Sequence, residues 1–351
     1  FITHLRHHSI GMKHLIFWQE NHDMNVGIIG LGVGEKHLDT FQSHSDIKSI
    51  KICDFDSNKL SEVMSKNSIS QGCSNPKEIL EDPSIDLVSI CSYDNFHTQQ
   101  IVSALKNKKH VFVEKPICLS SNELDEIKQA FLESSGLKLS SNFILRKEPR
   151  FIELRDKISN GDLGEIYYAE GSYDYGRLNK ITNGWRGQIK HYSVMHGGGI
   201  HLLDLLMWVC NTKFLNSTGL ASKIQTMDIP FSGPEFCTSL LEMENGIAMK
   251  LSANFGSNTP HFHQIKVYGT KGTFIHDCND AKYFFNKEPN VTQVNVNGNF
   301  PGAQKGDLLT DFIDSVINDS HYDLNADKVF EVMNSSVTIE KNLRIINAIS
   351  K

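Results

Sequence analysis

The sequence predicts an α/β plus α+β protein, in which an N-terminal doubly wound parallel sheet precedes a C-terminal domain of mostly antiparallel open sheet and helices. Strand-like and helix-like segments alternate from Asn25 to about Leu145, and a glycine turn joins the first strand to the first helix. Beyond that point the strands alternate polar with apolar residues, as in a sheet with one face in water. The length of 351 residues also favours two domains.

The first half divides into short segments of alternating type. In chain order they are strand 25–30, turn 30–34, helix 35–42, strand 47–53, helix 57–66, helix 76–80, strand 86–91, helix 96–106, strand 110–113, helix 120–133 and strand 137–143. Ser120-x-x-Glu123 is a capping box that marks the start of the last helix. We expect parallel strands, because a helix between two strands returns the chain to the edge where the first strand began.

The second half changes to longer strands and amphipathic helices. It contains helix 151–158, turn 161–164, strand 165–175, the apolar helix 200–210, about five strand-like runs between 221 and 285, and helices 308–317 and 327–349. We expect a first domain over 24–145 and a second over 146–351. Residues 1–23 show no clear period, so we expect Met24, or less well Met12, to be the natural start and 1–23 to be an extension without function.

Composition and charge argue against several classes of function. The chain has 35 basic and 41 acidic residues, a net charge of −6 and no block of Lys and Arg, so we expect no nucleic-acid partner. The apolar run 200–210 is interrupted by Asp204 and is too short to cross a membrane. Seven cysteines without a C-x-x-C pair indicate reduced, buried thiols and a cytoplasmic location. The 16 histidines show no metal-binding spacing, so we expect no metal.

The glycine turn carries the first functional signal. Gly30-Leu-Gly-Val-Gly34 follows the first strand and opens a helix, so its N–H groups and the helix N-terminus can hold a pyrophosphate. Asp54 ends the second strand, where an acidic side chain accepts hydrogen bonds from a ribose, and with Asp56 it would repel a 2′-phosphate. This favours NAD over NADP. Glu35 replaces a third glycine, so either the first helix packs less closely or Gly34 compensates.

Two further segments carry candidate catalytic residues. Lys115, in Glu114-Lys115-Pro116, follows a strand at the edge where doubly wound sheets bind ligands, and its ammonium could stabilise an alkoxide; a lone lysine there is more often a solvated residue. His201 and Asp204 lie three residues apart on an apolar helix, so Asp204 could orient the imidazole of a general base. Such a pair is also common as a satisfied buried contact.

In this order the motifs resemble the glucose-fructose oxidoreductase / inositol dehydrogenase / rhizopine catabolism (Gfo/Idh/MocA) family. The motifs are Gly30-Leu-Gly-Val-Gly34, Asp54, Ser92-Tyr-Asp-Asn-Phe-His97, Glu114-Lys115-Pro116, Trp185-Arg186 and Gly197-Gly-Gly-Ile-His201-Leu-Leu-Asp204. The resemblance runs from about Met24 to the C-terminal helices. It implies a Rossmann domain, NAD(P)-dependent oxidation or reduction of a sugar, polyol or nucleotide sugar, and a homo-oligomer, a dimer or tetramer, built through the second sheet.

The resemblance also implies roles for single residues. Lys115 matches the active-site lysine that contacts both the nicotinamide ribose and the substrate, and His201 matches the active-site histidine. The cofactor-binding residues that we expect are Gly30, Gly32, Val33, Gly34, Asp54, Ser92, Asp94, Asn95, His97, Glu114, Lys115 and Asn142. On the substrate side we expect Tyr175, Trp185, Arg186 and His196.

Two positions depart from the family pattern. Tyr93 stands where a proline is usual. Gly197 stands where many members carry an aspartate four residues before the active-site histidine. His196, Asp204 or the hydroxyl of Tyr173 or Tyr175 could take over from the missing carboxylate.

These expectations combine into one mechanism with one alternative. His201 removes the proton from a secondary hydroxyl, Lys115 stabilises the alkoxide, and hydride passes to C4 of the nicotinamide, or the reverse for a ketone. The alternative is a non-catalytic NAD(P)-binding regulatory or interaction protein of the same fold, which the missing aspartate keeps open.

Overall fold

The computed structural model describes residues 23–189, 192–227, 229, 231, 233–278 and 280–346. Among these residues the first sheet has six strands: β1 (Met24–Ile29), β2 (Ile47–Cys53), β3 (Gln71–Cys73), β4 (Leu87–Ile90), β5 (His110–Val113) and β6 (Leu139–Ser141). Their order is β3-β2-β1-β4-β5-β6, and every neighbouring pair is parallel. The predicted doubly wound parallel sheet is therefore confirmed.

Helices connect these strands and leave one end of the sheet open for a ligand. They are α1 (Gly34–Ser43), α2 (Ser57–Asn67), α3 (Lys77–Leu80), α4 (His97–Lys106) and α5 (Ser121–Glu133). Ser120 caps α5 as predicted, accepting from the Glu123 N–H at 3.3 Å. No side chain caps the N-terminus of α1. The strand order reverses beside β1, so the crevice at the carboxyl ends of β1 and β4 is the expected ligand site.

The second half forms a nine-stranded sheet over the described residues. Its strands are β7 (Ile166–Asp174), β8 (Phe214–Ser222), β9 (Phe236–Met243), β10 (Ala248–Asn254), β11 (Phe262–Gly269), β12 (Gly272–His276), β13 (Ala281–Phe285), β14 (Thr292–Asn295) and β15 (Leu343–Ile346), in the order β14-β13-β12-β11-β7-β10-β9-β8-β15. Most neighbours are antiparallel, as predicted, but β7 pairs with β10 and β8 with β15 in parallel.

Helices α6 (Pro149–Ser159), α7 (Asn179–Thr182), α8 (Ile200–Val209), α9 (Asp307–Ile317) and α10 (Ala326–Lys341) complete this half. Helix α8 lies directly on β7. A Cβ atom at Gly171 would be 3.2 Å from Leu202, so the glycine lets the helix approach the strand closely. The side chains of α8 are almost all buried, which explains the apolar run in the sequence.

The predicted helix 327–349 is wrong at its C-terminal end. Helix α10 ends at Lys341, and β15 pairs with the edge strand β8. The Asn342 side-chain amide donates to the Ser217 carbonyl oxygen at 3.2 Å, and the β-branched Ile345 and Ile346 suit a strand. Residues 347–349 of that prediction, like residues 1–22 of the predicted extension, lie outside the described residues.

Three general features bear on the expected class of protein. In the part of the chain that the structure describes, no helix combines the length and the apolar character that crossing a bilayer requires. Nor do three or more His, Cys, Asp or Glu side chains come together there as metal ligands. All seven cysteines are free thiols, six of them buried and Cys278 exposed.

Candidate active site

The glycine turn after β1 provides an open backbone surface at the N-terminus of α1. Gly30 has a φ of +89°, and a Cβ atom there would lie 2.5 Å from the Cys91 carbonyl oxygen, so only glycine fits. At Gly32 the opposite holds, because a Cβ atom would have no heavy atom within 4 Å apart from its chain neighbours. Val33 then leads into the uncapped helix. Exposed N–H groups beside free space fit a bound phosphate.

Gly34 takes over the role of the missing third glycine. A Cβ atom at Gly34 would lie 2.9 Å from Cγ2 of buried Ile28, so the absence of a side chain lets α1 pack closely on β1. Glu35 turns outward and binds Lys59 at 3.0 Å and Lys66 at 2.5 Å. Of the two predicted alternatives, compensation by Gly34 is the one that the structure shows.

Asp54 joins the glycine turn to the loop after β2. Its Oδ2 accepts from the Leu31 N–H at 2.7 Å, and its Oδ1 accepts from the Asp56 N–H at 2.9 Å. A carboxylate has about four acceptor sites, so two remain for ribose hydroxyls. Together with the open turn, this carboxylate fits a dinucleotide and would repel a 2′-phosphate.

The loop after β4 is held by side chains that bind its own backbone. The two ring nitrogens of His97 lie 2.7 Å from the Pro116 carbonyl oxygen and 3.1 Å from that of Ser92. The Ser92 hydroxyl donates to Gln100 at 2.7 Å. His97 and Ser92 therefore brace the loop against the Lys115–Pro116 turn, while Asn95 is exposed.

Asp94 is the buried acid of this loop. Burial raises the pKa of its carboxyl, whereas the nearby charges of His97, Lys115 and Arg186 act to lower it. Because Asp94 lies among cations, we assign it to the charge balance around Lys115.

Tyr93, which stands where the family usually has a proline, makes an aromatic contact from the same loop. Its ring stacks on Trp185 with centroids 4.5 Å apart and an angle of 9° between the planes. The Arg186 guanidinium lies 4.2 Å from the centroid of the Trp185 ring. The aromatic pair therefore joins the cofactor loop of the first half to the segment that carries the two expected substrate residues.

A buried polar network lies beneath Lys115. The Asn142 side-chain amide donates to Glu114 at 2.8 Å, and Nε2 of His37 lies 3.4 Å from the same carboxylate. Burial disfavours a charged His37, yet Cys91 and Glu114 raise the pKa of His37 to about 10. Burial acts against a charged Glu114 too, but His37 and Asn142 lower the pKa of Glu114 to about 2. His37 and Glu114 therefore form a buried ion pair that fixes the strand end, and the sequence analysis missed His37.

Asn142 also has an unused acceptor. Its Oδ1 atom is buried and has no hydrogen-bond partner within the described ranges. An unpaired buried amide oxygen is costly unless a donor reaches it. This fits the expectation that Asn142 lies on the cofactor side.

Lys115 connects the two halves of the protein. Its Nζ donates to the Gly197 carbonyl oxygen at 2.8 Å, across 82 residues of sequence. Burial lowers the pKa of Lys115, and Asp94 and Glu114 partly offset this. An ammonium has three N–H donors, so Lys115 keeps two for ligands.

His201 lies in the first turn of α8 and faces a cluster of basic groups. Its Nδ1 is buried and finds no hydrogen-bond partner among the described residues. Burial, with Lys115 and His263 adding, lowers the pKa of His201 well below its usual value. His201 is therefore neutral near pH 7 and able to accept a proton. The rings around it belong to Tyr173 at 6.3 Å and His263 at 6.1 Å.

Asp204 does not orient His201, contrary to the expectation from their spacing. Its Oδ1 accepts from Nη2 of Arg146 at 2.6 Å and its Oδ2 from Nε at 2.9 Å. Both side chains are at most 6% exposed, and the bidentate pair satisfies the carboxylate. The sequence could not show this partner, because Arg146 lies 58 residues away. The pair anchors α8 to the segment that joins the two halves.

His196 and Tyr175, two expected substrate residues, have different surroundings. Nδ1 of His196 lies 2.8 Å from the Ser336 hydroxyl on α10, and burial lowers the pKa of His196 to about 4. We therefore assign His196 to the packing of the segment just before α8 against α10. The ring centroid of Tyr175 lies 4.8 Å from that of Phe255 and 5.7 Å from that of Tyr173. The Tyr173 ring also contacts His261 and His263.

The comparisons with known proteins identify the family of the chain. Residues 24–143 match the family model described as an oxidoreductase family with an NAD-binding Rossmann fold. Residues 151–275 match the GFO/IDH/MocA C-terminal domain. Together these matches cover more than half of the chain. The fold and site thus define an NAD-binding oxidoreductase of the Rossmann class, and the chain belongs to the GFO/IDH/MocA family.

Several curated relatives are dehydrogenases. The chain is 31% identical over 143 residues to myo-inositol 2-dehydrogenase of Thermotoga maritima, a match that spans 40% of this chain and 42% of that protein. It is 25% identical over 266 residues to the NAD(+)-dependent scyllo-inositol 2-dehydrogenase of Bacillus subtilis, covering 72% and 74% of the two chains. It is 26% identical over 255 residues to D-glucoside 3-dehydrogenase of Escherichia coli, covering 67% and 71%.

Solved structures share the fold. Myo-inositol 2-dehydrogenase from Lactobacillus plantarum superposes with a TM-score of 0.77 at 22% identity, covering 91% of this chain and 96% of that one. Levoglucosan dehydrogenase, solved with NADH and L-sorbose, gives 0.80 at 16% identity with the same coverage.

Two of the three glycines of the turn, Gly32 and Gly34, should respond differently to substitution by alanine. Gly34→Ala should lower the free energy of unfolding by about 1–3 kcal/mol, because the new methyl group would crowd Ile28. Gly32→Ala should leave it within about 0.5 kcal/mol of wild type but weaken NADH binding about tenfold. Urea unfolding and NADH fluorescence titration measure both. Wild-type affinity of Gly32→Ala for NADH would show that the phosphates do not bind at this turn.

Asp204→Asn should destabilise the protein by about 3–5 kcal/mol in urea unfolding, since it leaves the buried Arg146 charge without its partner. Asp323→Asn is the matched control, because Asp323 binds the same arginine at 3.4 Å but is half exposed, and it should cost far less. If Asp204→Asn kept wild-type stability but lost turnover, the structural role of Asp204 would be wrong. The result would then favour the catalytic role that its spacing from His201 suggested.

Proposed function

We propose that this protein is an NAD-dependent dehydrogenase that moves hydride between the nicotinamide and a secondary hydroxyl or ketone of a sugar, polyol or nucleotide sugar. The observation that carries the proposal is the meeting of Lys115 and His201. Lys115 leaves the first sheet and binds the Gly197 carbonyl oxygen, one helical turn before His201. An ammonium and a neutral imidazole are thus brought together at the junction of the two halves.

The two residues have complementary tasks. His201 accepts the hydroxyl proton, because its imidazole is neutral and a neutral imidazole has one ring nitrogen that can accept. Lys115 donates to the same oxygen and stabilises the negative charge that develops there, in a site where burial strengthens electrostatic attraction. NAD, when bound, supplies the carbon that accepts the hydride.

The substrate class and the cofactor preference follow from the relatives and from the turn. The curated relatives are named for inositols and a glucoside, which supports a polyhydroxylated substrate. Asp54 supports NAD rather than NADP, since its carboxylate lies beside the glycine turn and would repel a 2′-phosphate. The Asp56 carboxylate instead caps α2 by accepting from the N–H groups of Asn58 and Lys59.

We also propose a homo-oligomer in the cytoplasm. On the face of the second sheet that points away from α8, Tyr168 and Tyr268 lie together with ring centroids 5.6 Å apart, and Leu240 is 58% exposed. Apolar groups on an open face support contact with a second copy. The six buried free thiols support a reducing compartment.

One observation favours the alternative of a non-catalytic NAD-binding regulator. Gly197 supplies no carboxylate beside His201, so the site lacks the acid that many family members carry. The two candidates differ in turnover and agree in cofactor binding, so turnover decides between them.

The first test is a fluorescence titration with NADH and NADPH, followed by a panel of cyclitols, hexoses and nucleotide sugars scored at the nicotinamide absorbance band. We expect tighter binding of NADH than of NADPH, and reduction of NAD⁺ by at least one compound. Tight binding without turnover across the panel would support the regulator. No binding of either nucleotide would contradict both functions.

Lys115→Ala and His201→Ala should each lower kcat by about 10²-fold or more, as expected for acid–base residues. NADH affinity should change little for His201→Ala, because the histidine lies on α8. Lys106→Ala, an exposed lysine on α4, is the control and should keep wild-type kcat. Turnover within threefold of wild type in both active-site variants would refute the assigned roles.

A further inference from the structure

Tyr192 is a buried residue that the sequence analysis missed. Its side chain is 2% exposed and lies just before the turn that opens α8. A Cβ atom built on Gly197 would overlap the Tyr192 hydroxyl oxygen and would also lie 2.7 Å from its ring carbon Cζ. The phenol therefore fills the space that any side chain at position 197 would need.

The same glycine holds Lys115. The Lys115 ammonium binds the carbonyl oxygen of Gly197, and the Tyr192 hydroxyl stands where the Cβ of Gly197 would be. His201 follows four residues later, in the first turn of α8. The hydroxyl is thus the third polar group that converges on this point.

The direction in which this hydroxyl donates is set by Arg186. Nε of Arg186 donates to Oη of Tyr192 at 3.1 Å. A guanidinium cannot accept a hydrogen bond, so the hydroxyl hydrogen must point elsewhere. Among the described residues the hydroxyl donates no hydrogen bond. Burial, with Asp94 adding, raises the pKa of Tyr192, so the phenol keeps its proton near pH 7.

We propose that the Tyr192 hydroxyl donates a hydrogen bond to the reacting oxygen of the substrate, and that Arg186 holds it in the space that a side chain at position 197 would otherwise take. This inference rests on the proposed dehydrogenase function. During oxidation the O–H proton of the substrate passes to His201 and the C–H hydride passes to NAD⁺. The phenol keeps its own proton throughout. Glycine is then required at position 197 because Tyr192 fills the space that a Cβ atom there would need.

Tyr192→Phe tests the proposal directly, since it removes only the hydroxyl. We expect kcat/KM to fall by about 10²-fold, as for the loss of one donor to a developing oxyanion. The NADH dissociation constant and the melting temperature should stay at wild-type values. Tyr283→Phe is the matched control, because Tyr283 lies on β13, is 1% exposed, and its hydroxyl has no hydrogen-bond partner among the described residues; it should retain full activity.

The outcomes separate this inference from the proposed function. An active wild type together with a Tyr192→Phe variant within threefold of it would overturn the role of Tyr192 and leave the dehydrogenase intact. A wild type that reduces no NAD⁺ with any compound would refute the dehydrogenase and this inference with it. Loss of NADH binding in Tyr192→Phe would also overturn the inference, because it would place the hydroxyl on the cofactor.

A steric exchange tests whether position 197 and the phenol compete for one space. Tyr192→Leu removes the ring atoms that exclude a side chain at position 197. In that background Gly197→Asp should restore kcat/KM at least about tenfold, by returning a polar group to the oxygen. In the wild-type background Gly197→Asp should inactivate the protein, because the phenol blocks it.

The pH dependence of kcat/KM in the double variant distinguishes a shared polar role from a change in packing alone. After burial, the neighbouring groups of His201 lower its pKa further, and so keep the imidazole neutral. They are Lys115, His263, His261 and Lys305. A carboxylate at position 197 would raise the pKa of His201, so the acid limb of the kcat/KM profile should move to higher pH in the double variant. No recovery over Tyr192→Leu, together with an unmoved acid limb, would contradict a shared space.

Discussion

The hydrogen bond from the Lys115 ammonium to the Gly197 carbonyl oxygen is the contact on which the site depends. It places a buried cation at the junction of the two halves, where loss of hydration disfavours the charge. The carboxylates of Asp94 and Glu114 offset this cost, and His37 holds Glu114 from below. The strand end, the loop after β4 and the start of α8 are therefore arranged around one ammonium group.

The second half meets that cation through a short π-helical segment, Met195–Gly199, which contains three glycines. Each of these glycines makes room for a large side chain. Tyr192 packs against Gly197, Tyr173 against Gly198 at 2.5 Å and Met195 against Gly199 at 2.5 Å, measured to a built Cβ atom. The bidentate ion pair of Asp204 with Arg146 then fixes the helix that follows. His201 is thereby held in place by this packing and by the ion pair of Asp204 with Arg146 about one turn further along its helix.

The sequence allowed the first sheet, the glycine turn and the order of most elements to be predicted, because those features are encoded in local periodicity and in glycine positions. Contacts across long stretches of chain could not be predicted. Asp204 was paired with the nearby His201 although its partner is Arg146, and the helix from 327 was extended through what is β15. Tyr192 carried no signal, since only the packed structure shows that a residue five positions earlier fills the side of Gly197.

Hydride transfer at the junction of the two halves is the central claim, and deuterium transfer tests it most directly. The protein would be incubated with NAD⁺ and C-deuterated cyclitols or hexoses, and the recovered nucleotide analysed by mass spectrometry. The account predicts NADH that carries one deuterium at C4, formed by the wild type and not by His201→Ala. NADH that binds tightly but never acquires deuterium from any of these compounds would contradict it.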